Sequence, residues 1–257
     1  MSETCSISAD PMELAAPRQT KEASAPVNAN ARRVSVAAGY EMWAPTYDRD
    51  PNPLLALEAR HLLPHLASCH GKDALDLGCG TGRWLAKLIA LGARSAIGMD
   101  LSSSMLWVAA GKPPLAGRLI MGNCCSLPIR SKAANFVISS FTLSHIADEA
   151  LFAKELARVA RPGADIFITD LHPDAYARGW RTGFRDRSGP TEVVSVARPL
   201  DHVCRVFGAQ GLRLTEFREP RLGPFERPIF AASGKDHLFV EAASLPAVLI
   251  CHFLRSD

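Results

Sequence analysis

Between residues 70 and 170 short apolar runs alternate with amphipathic stretches. Runs at 74–77, 95–99, 118–121, 136–140 and 165–169 have the length of buried strands, while 83–91, 103–110 and 148–160 carry a helical period. Strands interleaved with helices build βαβ units, so this pattern predicts an α/β fold whose parallel sheet is covered on both faces. Upstream, "VSVAAGYEMWAPTYD" and "PLLALEARHLLPHLA" read as helices, the second with Leu55, Leu62, Leu63 and Leu66 on one face and Pro64 as a kink. After residue 170 the regularity weakens. A Gly/Arg/aromatic segment covers 171–190, a helix is expected over 198–209, and strands over 212–217 and 246–253. A long irregular connection starting at 219 precedes the last strand. If that strand inserts beside its predecessor, it is the sheet's antiparallel member.

Composition supports one domain with an added N-terminal segment. The chain has 257 residues, 47% of them hydrophobic and 21% charged, enough for one substantial core. Residues 1–32, rich in Ala, Ser, Pro and Thr, hold too few large apolar side chains to offset ordering entropy, so a disordered extension is expected there. The domain then covers 33–257, with N-terminal helices over 33–70 and a ligand-binding half over 71–170. Segments 171–198 and 219–245 are left to cover a substrate. A net charge of +3 without a long basic run argues against nucleic acid or a membrane surface as the main partner. Seven cysteines, odd in number and without a CxxC pair, fit buried thiols in a reducing compartment and neither a disulfide frame nor a metal site. No apolar run reaches the roughly 18 residues of a spanning helix, and the N-terminus lacks the apolar core of a signal peptide, so a cytoplasmic location is expected.

The chemistry concentrates in "DALDLGCGTGRWLAKLIALGA", residues 73–93. Gly78, Gly80 and Gly82 follow an apolar strand and precede an amphipathic helix, so a ligand can approach bare backbone at the helix N-terminus. A P-loop would need a lysine beside the last glycine, and none occurs before Lys87. A dinucleotide fingerprint would place its third glycine where Arg83 stands, so that ligand fits poorly.

"LDLGCGTG", followed 18 residues after Gly82 by Asp100 in "GMDLS", resembles the first two motifs of the class I S-adenosyl-L-methionine-dependent methyltransferases. "GNCCSLPI" at 122–129, "FVISSFTLSHIAD" at 136–148 and "ARVARPGADIFITD" at 157–170 resemble later motifs of the subgroup that includes ubiquinone and menaquinone biosynthesis methyltransferases. The resemblance implies a Rossmann-like, doubly wound sheet of seven mostly parallel strands, with one antiparallel strand near the C-terminus. It also implies S-adenosyl-L-methionine as cofactor. Such a ligand has no phosphate, and its sulfonium and ammonium suit Asp76 and the exposed loop carbonyls. On this resemblance Asp100 takes the ribose hydroxyls with Leu101 beside it, and Gly78, Cys79, Gly80 and Gly82 form the turn. Asn123 and the Cys124 amide address the adenine edge, and Ser140 lines the pocket beyond the fourth strand. Relatives commonly carry aspartate where this chain has Asn123 and Asn135, which weakens the expected grip on adenine.

The acceptor side is less sharply marked. Tyr40, Trp43 and Tyr47 are candidates to close over the sulfonium end of the cofactor, Tyr47 also touching substrate. His145, Asp170 and His172 sit beyond the fourth and fifth strands, at the carboxyl edge where open α/β sheets bind ligands, and are the candidates for a general base. "RGWRTGFRDR" interleaves arginines with Trp180 and Phe184; Trp180 and Arg181 are the substrate candidates, leaving room for an anionic small-molecule acceptor. The expected activity is in-line methyl transfer to a small molecule. The competing classes are a cofactor-binding scaffold without turnover and a nicotinamide-dependent oxidoreductase. Acceptor atom and oligomeric state stay open.

Overall fold

A computed structural model describes residues 31–257, so all but the last residues of the expected N-terminal extension lie outside the described residues. Strand β1 (Arg32–Val34) leads into helix α1 (Val36–Trp43), whose N-cap Ser35 accepts from the Ala38 amide. Helix α2 (Pro53–Leu66) starts with proline at its first position and is capped by Asn52, whose side chain accepts from Leu54 at 2.9 Å. The expected kink at Pro64 falls in the last turn, where little helix remains to bend.

The alternating part follows the hydrophobic pattern closely. It contains β2 (Asp73–Leu77), α3 (Arg83–Ala90), β3 (Ser95–Asp100), α4 (Ser103–Ala110), β4 (Leu119–Met121), β5 (Ala134–Ser140), α5 (Glu149–Val159) and β6 (Ala160–Leu171). Beyond it come α6 (Pro173–Ala177), β7 (Gly183–Asp186), β8 (Gly189–Val193), α7 (Leu200–Gly208), β9 (Leu212–Arg218), α8 (Arg227–Ala232), α9 (Phe239–Ala242) and β10 (Val248–Arg255).

Seven strands form the main sheet in the order β4-β3-β2-β5-β6-β10-β9. The pairs from β4 to β6 are parallel, and β10 lies antiparallel between β6 and β9, as the sequence pattern implied. Each face carries its own core: Phe152, Leu156, Phe207 and Phe253 on one side, Leu57, Leu62, Trp84, Leu88 and Phe136 on the other. Because the chain leaves β2 toward β3 and later returns to β5 on the other side, the carboxyl ends of β2 and β5 frame a crevice at the point where strand order reverses.

Two features depart from expectation. Part of segment 171–190, expected to be irregular, folds as the hairpin β7–β8, and β1 joins it in parallel register, Arg32 opposite Thr191 and Val34 opposite Val193. Arg32 therefore belongs to a strand and not to the N-terminal extension. The second feature is Glu58, fully buried on α2. Its carboxylate receives Arg83, the Trp84 indole N–H at 3.3 Å, the Ser140 hydroxyl at 2.7 Å and the Thr169 hydroxyl. One acid thus ties α2 to the glycine-loop helix α3 and to strands β5 and β6.

Removing one partner from a buried ionic cluster leaves the others unpaired, which costs about 3–5 kcal/mol. Glu58→Ala should lower stability by that amount in urea unfolding with an unchanged denaturant slope. A loss below about 1 kcal/mol would contradict the cluster's role.

Candidate functional site

The crevice opens into a cavity of about 370 Å³. The glycine turn contributes Gly78 and Gly80, β3 and the start of α4 contribute Asp100, Leu101 and Ser102, and the loop after β4 contributes Asn123 and Cys124. The far side is built by Tyr40 and Tyr47, by Ser140, and by His145 in the turn beyond β5. All of these except Ser102 are expected site residues, so ten of those are brought together.

The three glycines divide by what surrounds them. A Cβ on Gly78 would meet Thr142 Oγ1 at 2.1 Å, and one on Gly82 would meet Leu115 Cδ1 at 2.3 Å, so those positions are bare because protein packs against them. Gly80, at φ +54°, has nothing within 4 Å of such a Cβ although it lines the cavity. The space over it is open to the cavity. The Gly80 amide donates to Asp100 Oδ2 at 2.7 Å and the Ser102 amide to Oδ1 at 2.8 Å, which fixes the carboxylate while leaving each oxygen free to accept again. Burial pushes the Asp100 carboxyl upward, and these backbone donors oppose the shift.

The charge of the walls selects a ligand class. Among the described lining residues there is neither lysine nor arginine, whereas Glu41 and Asp100 are acids. A pyrophosphate would find no cation there. A sulfonium and an ammonium would find two carboxylates and the rings of Tyr40 and Tyr47. The residues present therefore fit S-adenosyl-L-methionine better than a dinucleotide.

A second chamber of about 60 Å³ shares Tyr40, Tyr47 and Phe141 with the first and adds Trp43, Leu54, Leu55, Leu171 and Arg181. Phe141 holds φ +50°, uncommon for a bulky residue, at the junction of the two spaces. Trp43 meets Tyr47 edge-on at 4.8 Å and stacks on Phe184 of β7 at 5.2 Å, so the small sheet walls the chamber from outside. Over the glycine turn, Asp48 accepts from Thr81 Oγ1 at 2.6 Å and pairs with Lys112 at 2.7 Å, closing the segment after α1 onto that turn.

Other expected site residues stand elsewhere. Asp76 lies beneath the turn, accepting from the Leu85 amide at 2.9 Å, and does not line the cavity. Cys79 is buried with its side chain against Gly98. His172 caps α6, its Nδ1 accepting from the Asp174 amide at 3.1 Å while Nε2 lies 3.1 Å from Glu219, so it is occupied as a helix cap and not as a base. Asp170 is buried with its oxygens taking the amides of Ser144 and Leu171 at 2.6 and 2.7 Å; burial pushes its carboxyl up to about 6. Trp180 packs against the core below the chamber. Arg181 reaches the chamber but is already paired: Nη1 donates to the carbonyls of Tyr176 and Trp180 at 2.7 Å, and Nε lies 3.7 Å from buried Glu192. Asn123 spends its side-chain oxygen on the Cys125 amide at 2.8 Å. Asn135 bonds Arg161 and does not line the cavity.

Burial holds Asp76 at about 7, far above an ordinary carboxylate, with the Leu85 amide opposing that shift. Between roughly pH 4 and 7 the folded state keeps a proton there that the unfolded chain has released, so this contribution to stability falls as pH rises through the window. Asp76→Asn can still accept from Leu85 but cannot titrate. Its stability relative to the wild type should therefore improve from pH 5 to pH 8 in chemical denaturation, and a difference independent of pH would refute a protonated Asp76.

Comparisons with known proteins agree with this geometry. A family model described as a methyltransferase domain matches residues 75–168. An uncharacterized methyltransferase of Emericella nidulans is 32% identical over 211 residues, covering 67% of this chain and 72% of that protein. A demethylmenaquinone methyltransferase of Shouchella clausii is 39% identical over 102 residues, 37% of this chain, and the match spans only 43% of that protein's length. The crystal structure of an S-adenosylmethionine-dependent methyltransferase from Mesorhizobium loti shares the fold with a TM-score of 0.62 at 20% identity, covering 79% of this chain and all of that one. Among the described residues no helix is long and apolar enough to cross a membrane. With a relative of this kind matched over two thirds of both chains and the methyltransferase domain matched over 75–168, the chain belongs to the S-adenosyl-L-methionine-dependent methyltransferases.

Proposed function

We propose that the protein transfers a methyl group from S-adenosyl-L-methionine to a small-molecule acceptor held in the chamber beside Tyr47. The observation that carries this reading is the junction of two spaces through Tyr40, Tyr47 and Phe141: one is lined by the glycine turn and Asp100, the other by Trp43, Leu54, Leu55 and Leu171 together with Asn52, Arg181 and Thr182. When bound, the cofactor supplies an electrophilic methyl carbon on a positive sulfur, so its departure needs no acid. Asp100 would hold the ribose hydroxyls, Leu101, Asn123 and Cys124 the adenine, and Gly78 and Gly80 the chain beyond.

The protein's remaining work is positional. Aligning acceptor, methyl carbon and sulfur while excluding water can supply roughly 7–11 kcal/mol of the barrier. The rings of Tyr40, Trp43 and Tyr47, latched over the turn by Asp48, provide a dry roof for that alignment. His145 is the base among the three residues first considered, since Asp170 and His172 are spent on backbone groups. The small acceptor is favoured over a polymer because the second chamber is narrow, about 60 Å³.

Asp100→Ala removes two ribose contacts and should weaken cofactor binding by about 2–3 kcal/mol in calorimetry; unchanged affinity would place the cofactor elsewhere. Gly80→Ala should cost about 1–2 kcal/mol of stability through its backbone angle and more than tenfold in cofactor affinity, and full affinity would contradict close ligand approach there. Incubating the protein with labelled methyl donor and a metabolite extract tests turnover directly. Label appearing in a small molecule supports the reading, and binding without any transfer would make the protein a cofactor-binding scaffold instead.

A further inference from the structure

We infer that Tyr40 and His145 form a proton relay, and that the acceptor is therefore an uncharged apolar or aromatic hydroxyl compound. This rests on the methyltransferase reading above and names the acceptor class that it leaves open.

The hydrogen bonds fix the direction of the relay. His145 Nδ1 lies 3.0 Å from the Val194 carbonyl oxygen, which can only accept, so Nδ1 carries the ring proton. In the neutral ring Nε2 then has only a lone pair. Tyr40 lies 2.9 Å from Nε2, and its hydroxyl must be the donor. Tyr40 is also a wall of both spaces, whereas His145 lines only the larger one. A hydroxyl in the chamber thus reaches the histidine through the tyrosine. Val194 directly follows β8, and its own amide donates to Val34 of β1 at 3.0 Å. The small sheet therefore sets the tautomer of the base.

Electrostatics suits conduction rather than storage of the proton. Burial first, then the charges of Tyr47, Asp100 and Asp170, hold the Tyr40 phenol well above its ordinary value, so it does not ionise at rest. Burial pushes His145 below its ordinary value, against the opposing Val194 bond, so its lone pair is free at neutral pH. Facing the pair are Tyr47, Glu41 and Asp100 from the cavity walls and Asp170 from β6; among the described residues the larger cavity has no lysine or arginine, and the smaller one, which Tyr40 also lines, has Arg181.

In the transfer step the acceptor's O–H passes its proton to the Tyr40 oxygen while Tyr40 passes its own to Nε2. The acceptor oxygen forms the new bond to the methyl carbon. The carbon–sulfur bond breaks with its electron pair staying on sulfur, and the imidazolium later releases its proton to water. Charge balances, because the positive charge leaving sulfur appears on His145.

The chamber excludes the charged alternatives. Leu54, Leu55, Leu171 and Trp43 offer no carboxylate to a protonated amine. Among the described residues its one cation, Arg181, lies with its guanidinium carbon 3.8 Å over the Tyr176 ring and close to Glu192, which also pairs with Arg33 at 3.2 Å. An acidic acceptor would meet no unspent positive charge. The anionic acceptor suggested by the arginine-rich segment is thereby replaced.

The test uses the full chain and labelled donor with a panel of ring-substituted phenols of graded acidity, alkyl alcohols, aryl amines and aryl carboxylates. Transfer is expected to the hydroxyl compounds. Tyr40→Phe and His145→Gln should each lower kcat by about a hundredfold or more while the donor Kd stays within about twofold. The loss should shrink as the phenol becomes more acidic, and the acid limb of the kcat/KM profile, set by His145 below its ordinary value, should vanish in His145→Gln. Preference for amines or carboxylates, or a loss independent of acceptor acidity, would overturn the relay while leaving methyl transfer intact. Transfer to no compound in either panel or extract would remove the methyltransferase reading and the relay with it.

Discussion

The carboxylate of Asp100, clamped by the Gly80 and Ser102 amides, is the constraint on which the site depends. It joins the turn after β2 to the end of β3, so the turn and the acid proposed to take the ribose form one rigid piece. A second carboxylate, Asp76, works from below through the Leu85 amide and anchors α3 to the same turn. The two acids share a strand edge but not a task. Asp100 is bonded in a way that keeps spare lone pairs toward the cavity, whereas Asp76 is enclosed and held near neutrality by burial.

A third acid, Glu58, carries this rigidity to the roof. Its bonds to Arg83, Trp84, Ser140 and Thr169 brace α2 against the first helix of the cofactor half and against the strands flanking the crevice. Because Ser140 lines the cavity, the position of one wall depends on a residue outside it. The segment between α1 and α2 is held at both ends, by Asp48 on the Thr81 side and by Asn52 at the start of α2. Tyr47 therefore sits over the turn without needing a contact of its own to the glycines.

Legibility in the sequence follows the range of the interactions. The runs at 74–77, 95–99 and 136–140 and the helix at 103–110 were readable because period and length are local properties, and they match β2, β3, β5 and α4 nearly residue for residue. The spacing of Gly80 and Asp100 in a βαβ unit is local too, and both line the cavity. The β1–β8 pairing was not readable, since Val34 meets Val193 across most of the chain and neither the three residues of β1 nor the five of β8 carry a pattern long enough to detect. Glu58 was missed for a related reason: within "LLALEARHLL" it reads as a polar face position, and only the approach of Arg83, Ser140 and Thr169 makes burial tolerable. His172 and Asp170 were over-read. Their place beyond a strand suits a base, but an amide two residues on and an amide of the neighbouring turn claim them first.

This division has a functional counterpart. The proposed cofactor side is built from consecutive elements between β2 and the loop after β4, so its chemistry can be inherited as a unit and recognised as a motif. The proposed acceptor side is assembled from α1, the turn after β5 and the β7–β8 hairpin, which meet only in the folded chain. Small changes in any of these three would reshape the chamber without touching the glycine turn. Substrate choice in such a fold can therefore drift while donor binding is held constant, and a relay whose tautomer is set by the small sheet ties proton transfer to the same movable elements that choose the acceptor.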